Sequence, residues 1–101
     1  MGYGVQATGE GSLALGRNTI SSGSGAVAMG TFTQASGANS FAAGAGKIDS
    51  NNRITYTTAS GLGSAAFGLT NKASGNYAFT AGSTCNAQGY AQTVLGLELQ
   101  S

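Results

Sequence analysis

Few side chains in this chain of 101 residues can do chemistry, and their spacing argues against catalysis. There is no histidine, so the usual nucleophile–histidine arrangements lack their base. The three acids, Glu10, Asp49 and Glu98, are scattered, which leaves no carboxylate pair for glycoside hydrolysis. Lys72 and Ser74 share one face of an extended strand, where a solvated pair is the ordinary outcome. Cys85 is the single cysteine and can form no intrachain disulfide, so it says little about redox compartment. Zinc has no ligand cluster, and calcium-binding repeats would need aspartate at a fixed phase, where only Asp49 exists. The sequence predicts a protein that is not an enzyme and carries no cofactor or metal.

Other classes fall on charge and hydropathy. The net charge of +1 provides no electrostatic footprint for nucleic acid. No apolar run approaches the length of a transmembrane helix, so no direct membrane insertion by this segment is expected. Met1 opens directly onto a repeat, so no signal peptide is expected at this start, as in an excised piece of a longer fibre. The chain has 18 glycines and no proline, yet it is 41% hydrophobic with few charges, which is not the composition of a disordered linker.

The elements that position these side chains are written in a repeat. Thirteen of the 18 glycines fall on a seven-residue lattice, from Gly2 through Gly44 and from Gly61 through Gly96. The other five, Gly4, Gly11, Gly25, Gly46 and Gly63, each lie two residues after a lattice glycine. Glycine at every third residue, as collagen needs, is absent. A fixed period of this kind is the signature of a repeat architecture. Written in sevens that end on each lattice glycine, the chain gives twelve rows, with residues 45–54 inserted after the sixth. The whole reads as one domain, residues 1–101: repeats over 2–44, the insertion, repeats over 55–96 and a tail over 97–101.

Positions three and five of the rows are small almost throughout, as at Ser12, Ala14, Ala26, Ala28, Ser40 and Ala42. They share one face of a strand and fit a thin interior. Cys85 falls at position three, which predicts a buried, inert thiol. Helix is disfavoured, because each glycine costs it about 1 kcal/mol. Position two is Gly or Asn in half the rows, as a corner with positive φ requires. Phe32, Tyr56 and Tyr77 break that rule, so their corners are expected to differ.

Positions four and six point the other way, and there alternate rows diverge. Odd rows are polar apart from Ile20, with pairs such as Gln6/Thr8, Gln34/Ser36 and Lys72/Ser74. Even rows are apolar apart from Thr93, with Leu13/Leu15, Val27/Met29, Phe41/Ala43, Ala65/Phe67, Phe79/Ala81 and Leu95. The expected fold is an all-β solenoid with two short strands in each coil of fourteen residues. Six coils at about 4.8 Å per stacked strand make a rod of about 30 Å. An apolar ladder along its outer face marks an interaction surface. The chain is therefore expected to be an obligate oligomer with Leu13, Leu15, Val27, Met29, Phe41, Ala65, Phe67, Phe79 and Leu95 at its core.

The insertion reads AGKIDSNNRI and is followed by Thr55 and Tyr56. Ile48 and Ile54 are symmetric about Asn51, and Asp49 and Arg53 flank good turn residues, so a protruding β-hairpin is expected. Lys47, Asp49, Asn51, Asn52, Arg53 and Tyr56 form a candidate binding loop, since loops on rigid scaffolds often carry recognition. A tolerated insertion, or a strap packed on a neighbouring subunit, explains the same residues.

The series SLALG, SGSGAVAMG, ASGANSFAAG and GSAAFG resembles the YadA-like head repeats of trimeric autotransporter adhesins. The resemblance runs from Gly2 to Gly96. It implies a left-handed parallel β-roll and a homotrimer about one axis. It also implies a bacterial cell-surface location in virulence, and attachment to extracellular matrix, host cells, other bacteria or surfaces. No neck of the family type follows Gly96, and the stalk and outer-membrane anchor are expected in parts absent here. Similar repeats occur in phage tail fibres and other long surface fibres. The sequence therefore leaves an adhesive head module standing beside a structural shaft segment. Ice binding is a weaker third reading, because the polar rows offer no uniform threonine array.

Overall fold

A computed structural model describes residues 2–48 and 54–97. Seven strands stack in parallel into one sheet: β1 (Gly2–Tyr3), β3 (Leu13–Arg17), β5 (Val27–Thr31), β7 (Phe41–Ala45), β11 (Ala65–Leu69), β13 (Phe79–Ser83) and β15 (Thr93–Leu97). Six shorter strands form the facing parallel sheet: β2 (Gln6–Ala7), β4 (Ile20–Ser21), β6 (Thr33–Ala35), β10 (Thr57–Ala59), β12 (Lys72–Ala73) and β14 (Asn86–Ala87). The chain alternates between the sheets, giving a parallel β-solenoid of about six turns with no helix among the described residues. The slab measures 33 × 32 × 17 Å.

Register follows the repeat. Leu13 lies beside Val27, Val27 beside Phe41, and Phe41 beside Ala65. The interior between the sheets is filled by the small residues of positions three and five. Ala26, Ala28, Ala35, Ala42, Ala59, Ala66 and Ala73 are fully buried. Thr19, Ser21, Thr33, Thr57, Asn71 and Thr80 are buried among them. Alanine methyls bury little area each, so this core alone contributes little of the roughly 25 cal/mol per Å² available from apolar burial.

Three position-three side chains reach the carbonyls of closing glycines on the facing strand. Thr57 Oγ1 donates to Ala45 O at 2.7 Å and to Gly68 O at 3.3 Å. Asn71 Nδ2 donates to Gly82 O at 3.1 Å and to Phe67 O, while its Oδ1 accepts the Cys85 amide at 2.9 Å. Cys85 is buried, with Sγ 3.1 Å from Gly96 O, which is the inert placement expected of it.

Two corners alternate. From the short strands to the long ones the chain turns over four residues, as where the Ser12 amide donates to Gly9 O at 3.1 Å. The third residue of such a turn takes positive φ, 67° at Gly11 and 57° at Asn39. From the long strands back to the short ones, Asn18 takes φ 53°.

The expectation that Phe32 and Tyr77 form different corners is overturned. Both keep the same left-handed conformation, at φ 57° and 60°. Their amides donate to Arg17 O at 3.0 Å and to Leu62 O at 2.7 Å, in the preceding coil. The ladder fixes the backbone path and overrides the side chain's preference.

Tyr56 does differ, because it is not the corner residue. The Gly46 amide takes that place, donating to Thr31 O at 2.7 Å, and Ala45 completes β7 beside Thr31 and Leu69. The coil resumes where the Thr57 amide donates to Phe32 O at 3.1 Å. The interruption therefore runs from 47 to 56, two residues later than the sequence grouping placed it.

Candidate functional site

The outer face of the seven-stranded sheet carries the apolar residues expected at an oligomer core. Leu15, Val27, Met29, Phe41, Ala65, Phe67 and Phe79 are half-buried, while Leu13 and Leu95 are 46% and 56% exposed. Each phenylalanine lies directly beside an alanine: Phe41 beside Ala65, Phe67 beside Ala43 and Ala81, and Phe79 beside Ala65. The rings therefore pack diagonally across strands, with centroids 5.2 Å apart for Phe41–Phe67 and 5.6 Å for Phe67–Phe79. This zigzag leaves a ridge of rings flanked by alanine hollows, a surface shaped for interdigitation.

The opposite face is polar. Gln6, Gln34, Thr58, Lys72 and Asn86 point outward from the short strands, with Ile20 the apolar exception.

The insertion is a hairpin at its base. β8 (Lys47–Ile48) pairs antiparallel with β9 (Ile54–Thr55), placing Ile48 opposite Ile54 and Lys47 opposite Thr55. Lys47 is exposed, as are Ile48 and Ile54. Asp49, Asn51, Asn52 and Arg53 lie outside the described residues. Tyr56 folds back onto the solenoid, its ring edge-on to Phe32 at 6.1 Å and 89°. It lines a shallow, open depression of about 240 Å³ with Gly4, Gln6, Asn18 and Ile20. Of the candidate loop, Lys47 thus stays on the hairpin while Tyr56 belongs to the solenoid wall.

One aromatic pair was not grouped from the sequence. Tyr77 and Tyr90 meet edge-on at 5.5 Å and 82° on an exposed corner. Their thirteen-residue separation is the signal, because a corner residue neighbours the residue that starts the row one coil on. On the other corner, the hydroxyls of Thr70 and Thr84 lie 3.2 Å apart. Neither grouping supplies a nucleophile with a base, and no cluster of metal-binding side chains exists among the described residues.

The geometry thus offers a scaffold with an apolar face rather than a reaction centre. The YadA head domain repeat, a model of two copies, matches residues 1–19, 7–33, 21–46 and 59–79. No curated protein and no solved structure gives a significant match. That family comprises surface-exposed head regions of trimeric autotransporter adhesins and is not an enzyme family. The matched segments cover more than half of the sequence and follow the glycine lattice through both sheets, and the chain belongs to the YadA head domain repeat family.

Proposed function

We propose that three copies of this chain assemble about one axis through their seven-stranded sheets, as a non-enzymatic adhesive head. Each chain is a left-handed roll with fourteen residues to the coil. Leu13, Leu15, Val27, Met29, Phe41, Ala65, Phe67, Phe79 and Leu95 form the trimer core. The assembled rod stands at a bacterial surface, carried from the outer membrane by other parts of its polypeptide. It attaches to extracellular matrix, host cells or other bacteria through its polar rows, corners and hairpin. Many weak contacts repeated along three equivalent sides provide avidity.

The observation that carries this reading is the continuous apolar ladder. Burying each Leu, Met or Phe is worth about 1.5–3 kcal/mol. The alanine interior leaves a single chain short of that stabilisation, and assembly supplies it.

Two measurements test the reading. Sedimentation should give three chains per particle, and Phe79→Asp should abolish assembly by placing a carboxylate in the apolar core. An unchanged trimer from that variant would refute the placement of the ladder. The trimer should also bind a matrix-coated or cell surface better than an unrelated rod of similar charge, and equal binding would remove the adhesive part.

A further inference from the structure

The residues that flank β3, β5, β7, β11 and β13 match one another in chemistry. Glu10 lies in the turn into β3, and Arg17 ends that strand. Ser24 and Thr31, both hydroxyl-bearing, stand in the same two places about β5, and two alanines, Ala38 and Ala45, about β7. Leu62 and Leu69 flank β11, each 40% exposed. Asn76 and Ser83, both polar, flank β13.

Within one chain the two members cannot meet. They sit at opposite ends of a five-residue strand, about 16 Å apart at roughly 3.3 Å per residue. They define two edges of the slab, the turn edge with Glu10 and Leu62 and the strand-end edge with Arg17 and Leu69. Level by level, the edges are complementary: charge against opposite charge, hydroxyl against hydroxyl, leucine against leucine. A ring built by pure rotation brings one edge of each chain against the other edge of the next without axial shift.

We propose that these edges are the seams of the assembly, with a second copy of this chain as the occupant of each. Glu10 faces the partner subunit's Arg17, and Leu62 faces the partner subunit's Leu69. The proposal rests on the trimer reading and adds which edges touch and in what register. Opposite charges at one level and apolar pairs at another also disfavour slippage by a coil, which would set Glu10 against Thr31 and Leu62 against Ser83.

Cysteine crosslinking tests it, with Cys85→Ser removing the native thiol. A disulfide needs Cα atoms within about 7 Å. On oxidation, Leu62→Cys with Leu69→Cys should give a covalent three-chain species on a denaturing gel, and each single variant only monomers. Charge reversal is the second arm. Glu10→Arg and Arg17→Glu should each weaken assembly roughly two- to fivefold per seam, and the double variant should recover it. Sedimentation of the parent as a monomer would sink the trimer reading itself. A trimeric parent whose double cysteine variant stays uncrosslinked would overturn the seam alone. Dimers from Leu62→Cys by itself would also overturn it, because like edges would then be meeting.

Discussion

Gly44 lies so close to Gly68 in the next coil that a Cβ at Gly44 would overlap the Gly68 carbonyl oxygen. The same overlap recurs along the lattice, at Gly16 against Gly30 and at Gly82 against Gly96. Here the glycine is demanded by close approach as well as by its φ of 129°. Gly44→Ala should therefore cost well over the 1–3 kcal/mol of backbone strain alone. Gly11→Ala is the control, since φ there is 67° but a Cβ would stand in open space. It should cost about 1–2 kcal/mol. Thermal melts of both variants decide the matter, and equal losses would show that steric overlap contributes nothing.

Asn71 is the largest of the fully buried side chains, and it bonds to three backbone groups. Asn71→Ala would leave the Cys85 amide without its acceptor and remove one donor from the carbonyls of Phe67 and Gly82. A buried group left unpaired costs about 1–3 kcal/mol, so a loss of about 1–3 kcal/mol is expected by chemical denaturation. Asn71→Asp keeps the acceptor for the Cys85 amide but loses both donors, and should be no better. A loss under about 1 kcal/mol for the alanine variant would mean that water takes over these bonds.

Ala91 has φ 54°, a conformation that costs an L-residue roughly 1–2 kcal/mol. Its side chain is exposed, and its amide donates to Asn76 O at 2.8 Å. Ala91→Asn should keep that bond and stabilise the fold by about 0.5–1 kcal/mol, read as a rise in melting temperature. A fall would mean that the corner is not strained.

These corners show how far the sequence could be read. Gly25 and Asn39 announce positive φ by their own preferences, and the alternation at Leu13, Ala14 and Leu15 assigns the strand faces. Phe32, Thr70, Tyr77, Thr84 and Ala91 adopt the same conformation with no local signal. Their backbone is dictated by carbonyls one coil away. The hairpin base was legible from Ile48 and Ile54, but its boundary was not, because Ala45 and Gly46 fit both the insertion and the next row. Tyr56 escaped its assigned place for a related reason: its partner Phe32 is adjacent through the stack, not along the chain.

The observed boundary lets the interruption be removed between two intact corner bonds. Joining Gly46 directly to Thr57 leaves Ala-Gly-Thr-Thr-Ala-Ser-Gly, a row in which every position has its usual kind of residue. Both flanking bonds, Gly46 to Thr31 and Thr57 to Phe32, lie outside the excised segment. Deleting residues 47–56 should preserve the fold and the trimer, at the cost of the Tyr56–Phe32 contact, worth about 0.5–1.5 kcal/mol. The variant then separates the two roles of the hairpin by one sedimentation run and one adhesion assay. An intact trimer that no longer binds its surface would assign recognition to the hairpin. An intact trimer that still binds would move recognition to the polar rows and corners. Loss of the trimer would identify the hairpin as a strap between subunits, because the backbone bonds that close the coil at Gly46 and Thr57 remain.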